Sequence, residues 1–573
     1  MGQAEPSTEL AQCPTSNVYT ASCLGPENSA LETKRDSPSD NIHAVPEANI
    51  VEQNSDEPTP KSLVFKLSFI GLAAAVFVFQ LDATCLGIAL PTIAGELNGQ
   101  TLQSFWANMS YYLCGLVMQP LWASISDTFG RKPLLYICMA FFAVGSIIFA
   151  LAKNMNMIIV GRVLQGFGGG GIDVLAEIIL ADMTTLQERS LYLGLMAIPM
   201  AIGNILGPSI GALFSTYASW RWIGWFNLPF LGFALPLLIF FLRLRPVQLD
   251  ESFTKNLNRL DWIGMIFLIL ATTIFVIPFS WAGSLYPWRS WQTLLPMMLG
   301  VALLIIFTIY EAKPAVPVIP HRLFYSKTFN MSLAGSFIHG MILVSLLNYL
   351  PLLYQSVGLE TSTGSAVSLL PAVITSVAVS AGLMMTVGAV GGYIWLIRVS
   401  WVAVTVGSGL LALFNLGPSS SMRISLPILW GIGVAGLRLL LLPMQASVKN
   451  IDDTGLAIAQ QQAFRMFGGL VGLTIGSTIF NSVFSASISS IELPAGPLTA
   501  LANANDAIAF IPELRLLGVS SEVLNPILEI YLKCFRTLFY TMVGFGGLGL
   551  ITSLIMKDLD LNKRNLGQQR FEE

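Results

Sequence analysis

Charge is scarce in this sequence. Only 11% of its 573 residues are Asp, Glu, Lys or Arg, against roughly 25% in a soluble globular chain. Histidine is scarcer still: His43, His321 and His339 are the three. The six cysteines (Cys13, Cys23, Cys85, Cys114, Cys138, Cys534) show neither metal-ligand spacing nor a disulfide framework. A net charge of −3 supplies no basic field for nucleic acid. No G-x-x-x-x-G-K-[ST] stretch is present, so nothing of that kind marks ATP as an energy source. These shortages argue against a nucleic-acid partner, a metal centre, a cofactor and a histidine-based hydrolase. No catalytic residue is assigned.

What is abundant is apolar sequence: 54% of residues are hydrophobic and the mean hydropathy is +0.67. A helix needs about 20 apolar residues to cross a bilayer. Fourteen segments qualify, near 63–92, 104–125, 133–152, 156–181, 190–215, 221–242, 260–283, 290–311, 328–352, 363–388, 392–415, 424–446, 455–485 and 530–556. The chain is therefore expected to be an all-α membrane protein. Loops on the N-terminal side carry eleven Lys and Arg, those on the other side five. That bias predicts an inside N-terminus, and an even number of spans returns the C-terminus to the same side. Both termini are expected in the cytoplasm, with the plasma membrane as the default and a vacuolar or vesicular membrane equally compatible. Residues 1–60 hold ten acids against Lys34 and Arg35. Such a segment cannot bury a core and is expected to be a disordered cytoplasmic tail.

Two motifs mislead. Gly166-Phe-Gly168-Gly-Gly-Gly171 satisfies G-x-G-x-x-G, but a dinucleotide turn needs a strand before it and a helix start at the phosphates. Here helical-length apolar sequence lies on both sides. Gly207-Pro-Ser209-Ile-Gly211 matches G-x-S-x-G and also falls inside a span, where no nucleophile elbow forms. Glycine costs ~1 kcal/mol against Ala in a helix. In lipid that cost is offset by close approach of helix backbones.

Five blocks taken together resemble the major facilitator superfamily, in particular its 14-span drug:proton antiporter branch as seen in fungi. "LDATCLGIALPTIAGEL" (81–97) is similar to that branch's first-helix signature. "ASISDTFGRKPLL" (123–135) resembles the cytoplasmic loop motif, with Asp127, Gly130, Arg131 and Lys132 in place and Ala123 for its first glycine. "GRVLQGFGGGGI" (161–172) resembles the fourth-helix motif, with Arg162, Gln165 and Gly166 matching. "GNILGPSIGALF" (203–214) resembles the fifth-helix antiporter motif through Gly203, Gly207, Pro208 and Gly211, with Ala212 where a second glycine is usual. "WRWIGWFNLPF" (220–230) resembles the start of the sixth helix. The resemblance implies the major facilitator fold: a six-helix bundle at 61–245, two additional helices at 246–315, and a second six-helix bundle at 316–556. The outer loop 486–529 lies within the last, and 557–573 is a cytoplasmic tail. It also implies alternating access around a midplane site and export driven by proton entry. Its partners are then the bilayer, protons and a small organic substrate such as a secondary metabolite, toxin or drug-like molecule, acting on a monomer. Uptake of a nutrient or siderophore is the alternative within the fold. A receptor or membrane enzyme is the alternative outside it.

Charges inside a span are costly and usually functional. The interior ionisable residues Asp82, Arg162, Asp173, Glu177, His339 and Arg438 fall on spans one, four, nine and twelve, the cavity-lining helices if the superfamily arrangement holds. At 100° per residue, Arg162 and Asp173, eleven apart, return to within about 20° of one face, with Glu177 one turn on. Asp82 is read as a desolvated carboxylate that couples protons, or as a hydrogen-bonded structural one. The resemblance gives Arg162 a proton-relay role; packing is the alternative. Asp173 and Arg438 lie at similar depth. They are expected to pair, either as a gate latch or substrate anchor or as a permanent ion pair. Asp127, Gly130, Arg131 and Lys132 are expected to lock the inner side. Asn348, Tyr349 and Gln445 are candidate cavity contacts or plain interhelical hydrogen bonds. Arg465 is interior but is placed off the presumed cavity.

Overall fold

The computed structural model describes residues 61–572 apart from 100, 247–256, 258, 283–285, 315, 391, 490, 492–496, 503–506, 509, 519 and 562–568. The tail expected at 1–60 lies outside the described residues. So do most of the linker near 250, parts of the outer loop 486–529, and much of the tail expected at 557–573.

The described chain is helical: α1 (Leu63–Glu96), α2 (Thr101–Phe129), α3 (Arg131–Ala150), α4 (Met155–Met183), α5 (Leu186–Tyr217), α6 (Trp222–Phe241), α7 (Trp262–Trp281), α8 (Trp291–Tyr310), α9 (Lys327–Ser356), α10 (Ser362–Val390), α11 (Ile394–Leu411), α12 (Ser420–Gly436), α13 (Leu441–Ser447), α14 (Thr454–Ile488) and α15 (Ser521–Ile555). A 3-10 turn, Leu437–Leu440, joins α12 to α13 as a single twelfth span. Each expected segment has its helix, in order. Thirteen spans are long and apolar enough to cross a membrane. The fourteenth, α2, carries Gln103, Ser104, Asn108, Ser110 and Gln119 and hides much of that polarity inside the bundle.

Local chemistry sets several helix starts. The side chains of Ser62, Asn154, Asp261, Ser326 and Ser419 accept from the amide three residues on, which satisfies one orphan donor each. Thr185 and Glu188 complete a reciprocal capping box on α5. Pro443 has no N–H for the Leu439 carbonyl. The chain tightens there into the 3-10 turn, which puts Arg438 on the break.

α1 packs on α5 and α6, and α4 packs on α2 and α3. In the second half α9 packs on α14 and α15, and α11 on α12 and α15. The halves meet along α5–α10 and α2–α14, while α7 and α8 pair with each other and α7 leans on α2 and α14. The glycines of α4 make its position possible. A Cβ at Gly166 would stand 2.5 Å from the Tyr111 carbonyl, and one at Gly170 2.6 Å from that of Gly115, both on α2. One at Gly168 would strike the Cys138 carbonyl on α3. The run thus has a two-sided packing role. Gly170→Val is expected to cost about 2–3 kcal/mol through overpacking, read as loss of monodisperse protein in size-exclusion chromatography. Gly232→Ala, with open space at its Cβ position, should behave as wild type.

Candidate functional site

Three groups of polar residues lie among these helices. The first is sealed inside the first half. Arg162 on α4 donates through Nη1 to Asp82 Oδ2 on α1 at 2.6 Å. Asn227 on α6 donates to Asp82 Oδ1 at 2.8 Å, and Gln165 Nε2 to the same oxygen at 3.3 Å. Ser146 on α3 accepts from both amides, at 3.0 and 3.1 Å. The Arg162 guanidinium lies 4.0 Å from the Tyr111 ring centroid, a cation–π contact. Asp82 and Arg162 are both 0% exposed. Asp82 is both desolvated and hydrogen-bonded: an ion pair with Arg162 neutralises it, and each hydrogen-bond partner described comes from its own half. A buried pair with good geometry offsets its desolvation, whereas either member alone would not.

The fifth-helix motif frames that pair. Cβ atoms at Gly203, Gly207 and Gly211 would collide with α1 at the Phe77 carbonyl, at Thr84 and the Leu81 carbonyl, and at the Cys85 carbonyl respectively. The three glycines hold α5 flush against the stretch of α1 that contains Asp82. Pro208 sits in the same turn and removes one helix hydrogen bond.

The second group crosses the halves. Asp173 and Glu177 on α4 are 2% and 4% exposed, and His339 on α9 is 3% exposed. Arg438 on the twelfth span and Arg465 on α14 are half-buried. At 1.5 Å per residue, Asp173, His339, Arg438 and Arg465 stand about 14–18 Å from one common end of the bundle. They act on one another electrostatically: Arg465 and Arg438 on Asp173 and on His339, and Glu177 on Asp173 and Arg438. The expected Asp173–Arg438 pair is not formed. Asp173 Oδ2 accepts from Gln119 Nε2 at 3.1 Å while its Oδ1 is orphaned. Arg438 reaches Met200 Sδ at 3.3 Å. Equal depth did not bring the two side chains to contact distance across the bundle. Arg465, placed off the presumed cavity, stands at the same depth as Asp173, His339 and Arg438 and acts electrostatically on Asp173 and His339. The signal was its depth on α14, which matches that of the others. Among the described residues, Asp173, Glu177, Arg438 and Arg465 each lack an ion-pair partner.

The third group closes the Lys- and Arg-rich end. Gly130 has φ +95°, which only glycine tolerates readily, and starts α3. Arg131 is 4% exposed. It pairs with Asp127 and with Asp182 Oδ2 (3.3 Å), and donates to Ser126 Oγ at 2.6 Å. Its Nη2 lies 2.7 Å from where a Cβ would stand at Gly455, at the start of α14 in the other half. Next to it Asp453 accepts two 2.7 Å bonds from Arg322, and this bidentate pairing raises the Arg322 pKa above its ordinary value. Arg189 on α5 donates to Gln445 on α13 at 2.9 Å and to the carbonyls that end α4. A segment far along the chain straps this end. Gln569 Oε1 accepts from the Arg131 amide at 2.9 Å, Arg245 donates to the Arg570 carbonyl at 2.9 Å, and Phe571 meets Phe65 edge-on at 5.7 Å. Lys132 stands apart, donating to the Ile239 carbonyl at the end of α6.

The remaining candidates divide. Gln445 belongs to this closure, through Arg189. Tyr349 makes the plain interhelical hydrogen bond, the second of its two readings: its hydroxyl donates to the Leu473 carbonyl at 3.1 Å, tying α9 to α14. Asn348 is exposed and bonds its own helix at Val344. Asn227, Ser146, Gln119, Arg189 and Asp453 went unread in the sequence, because single polar residues in apolar runs carry no spacing signal.

The Major Facilitator Superfamily pattern matches residues 72–473. The chain is 66% identical over 530 residues to the MFS-type transporter sphD of Aspergillus fumigatus, covering 92% of each chain. It is 30% identical over 529 residues to the efflux pump FUS6 of Gibberella fujikuroi, covering 90% of this chain and 93% of that one. Among solved structures, the human organic anion transporter MFSD10 (TETRAN) superposes with a TM-score of 0.54 at 13% identity, over 86% of this chain and 98% of that one, a likeness of fold. Fourteen helical spans, with buried charges shared between two halves, are thus the framework of a multi-pass membrane transporter and not of an enzyme, and the chain belongs to the Major Facilitator Superfamily.

Proposed function

We propose that this transporter exports a small organic compound, of the secondary-metabolite, toxin or drug-like kind, in exchange for protons and by alternating access. The observation that carries the reading is the set of charges without ion-pair partners, Asp173, Glu177, Arg438 and Arg465, drawn from both halves. Buried charge persists only where something compensates it. A substrate polar group, water or a proton can fill that role here, and a site of both signs suits a polar or zwitterionic group on an otherwise apolar molecule. Proton coupling is assigned to Asp82–Arg162, since a proton on Asp82 removes the charge that holds Arg162 in place. The group at the basic end acts as the inner gate, closed here by Arg131 against Gly455 and by Arg189 with Gln445. Export is favoured by the name of the efflux-pump relative and by the antiporter-like α5 motif. Both termini are assigned to the cytoplasm, the location to the plasma membrane and the working unit to the monomer, with the proton gradient as energy source.

The test is proton flux in liposomes that hold the purified protein. A pH gradient is imposed and followed by a dye while organic cations, anions and neutral amphiphiles are added singly. Compound-dependent collapse of the gradient is expected, with labelled compound moving opposite to protons. Compound movement with no effect on the gradient would overturn the coupling. Movement in the same direction as protons would overturn export.

A further inference from the structure

A half-open cavity lies away from the unpaired charges. α7, which pairs with α8, leans on α2 and α14, and residues of all four helices line a space of about 610 Å³. Its wall is mostly apolar, with Leu268 and Phe275 from α7, Phe307 from α8 and Phe464 from α14. Its polar end is formed by Glu311 after α8, His321 in the following turn and Gln460 on α14. None of Asp173, Glu177, His339, Arg438 and Arg465 lines it.

That polar end is unfinished. Glu311 and Gln460 are each 3% exposed. Glu311 Oε1 accepts from the Ile319 amide at 2.6 Å, but its Oε2 has no partner. Gln460 Nε2 and His321 Nε2 are buried without partners as well. Asp261 Oδ2, a further orphan, converges with Glu311 Oε2 on one point: both lie within 3.2 Å of where a Cβ would stand at Gly264. Unpaired buried polar atoms are costly, and three of these four, on Glu311, His321 and Gln460, line the chamber, as a site built for a guest would. No Lys or Arg lines it, and Glu311 Oε2 waits for a donor with Asp261 Oδ2 close behind it. The volume is that of a drug-sized ligand site.

We propose that this chamber is a binding site for an amphiphile with a slender apolar body and a cationic, hydrogen-bond-donating head, such as a long-chain amine. The body lies along Leu268, Phe275 and Phe464, and the head donates to Glu311 Oε2. The Glu311 carboxylate disfavours an anionic head, so the matching acid is the discriminating control. The chamber straddles α2 and α14, one from each half, so its shape follows the seam between them. The proposal does not rest on the transport reading.

The test uses the full chain in phosphatidylcholine nanodiscs and a dodecylamine that carries a diazirine in its chain. The matching alcohol and carboxylic acid serve as controls, and labelled peptides are mapped by mass spectrometry. Labelling of α7 and of the 454–467 stretch is expected, at least about fivefold stronger for the amine than for the acid. Glu311→Gln should reduce amine labelling to the level of the alcohol. Thr272→Trp, which fills the chamber, should remove labelling by all three heads. Equal labelling by amine and acid, labelling unaffected by Glu311→Gln, or labels spread over the lipid-facing surface would each overturn the proposal.

Discussion

Arg162→Met should leave almost no folded protein, and adding Asp82→Asn should bring it back. Arg162 fills a site with no exposed surface, and its loss strands a carboxylate that three neutral groups, Gln165, Asn227 and Ser146, surround without neutralising. Breaking a buried pair by removing one partner costs about 3–5 kcal/mol, whereas removing both charges is often neutral. An asparagine at position 82 still accepts from Asn227. The double variant should therefore match wild type in thermal stability and in detergent chromatography. It should nevertheless show no proton-coupled flux, because nothing remains at the site to take up the proton. A stable Arg162→Met variant would refute the sealed pair. A double variant that still couples protons would reduce the pair to a structural one and move the coupling to another group.

The opposite pattern is expected for the unpaired charges. Arg465→Met, Asp173→Asn and Glu177→Gln each remove a charge with no ion-pair partner, so each should shift the unfolding midpoint only slightly. Flux of compound in vesicles should fall at least about tenfold, the equivalent of ~1.4 kcal/mol of lost interaction. Arg465→Met carries the most information, because it sits on α14 in the second half and acts on both Asp173 and His339. Near-normal flux from all three variants would mean that these charges do not meet the substrate. Stability losses as large as those of Arg162→Met would mean that they are structural after all.

The contrast between the two groups shows where sequence reasoning worked. Long apolar runs and loop charges gave the fourteen spans, because a bilayer imposes length and polarity on each segment independently. Asp127 and Arg131 could be joined on paper, since only four residues separate them across the turn from α2 to α3. Asp82 and Arg162 are 80 residues apart and Asn227 is 145 from Asp82. Which side of each helix turns inward decides that cluster, and a helix apolar all round gives no moment to read. The same limit explains the failed Asp173–Arg438 pair: counting residues along a helix gives depth but not lateral distance. Pro443 did carry a readable signal for the break that presents Arg438. α2 was legible as a span although its polarity marks it as an interior one.

The strap over the basic end sets an order of events in time. Gly130 has no side chain to cap the first amide of α3, and the acceptor for Arg131 is supplied by Gln569, 438 residues later in the chain. At synthesis rates of roughly 5–20 residues per second, that interval is on the order of 20–90 s. Throughout it, the newly inserted first half carries an uncapped helix start and lacks both Gly455 and the strap that cover Arg131. A ribosome that stops early leaves that half in the same state, with a bare amide at the surface of the membrane and Arg131 held only by Asp127, Asp182 and Ser126. The loop at Arg131 thus waits on a segment made 438 residues later, and any device that inspects membrane proteins during synthesis has a local mark to recognise.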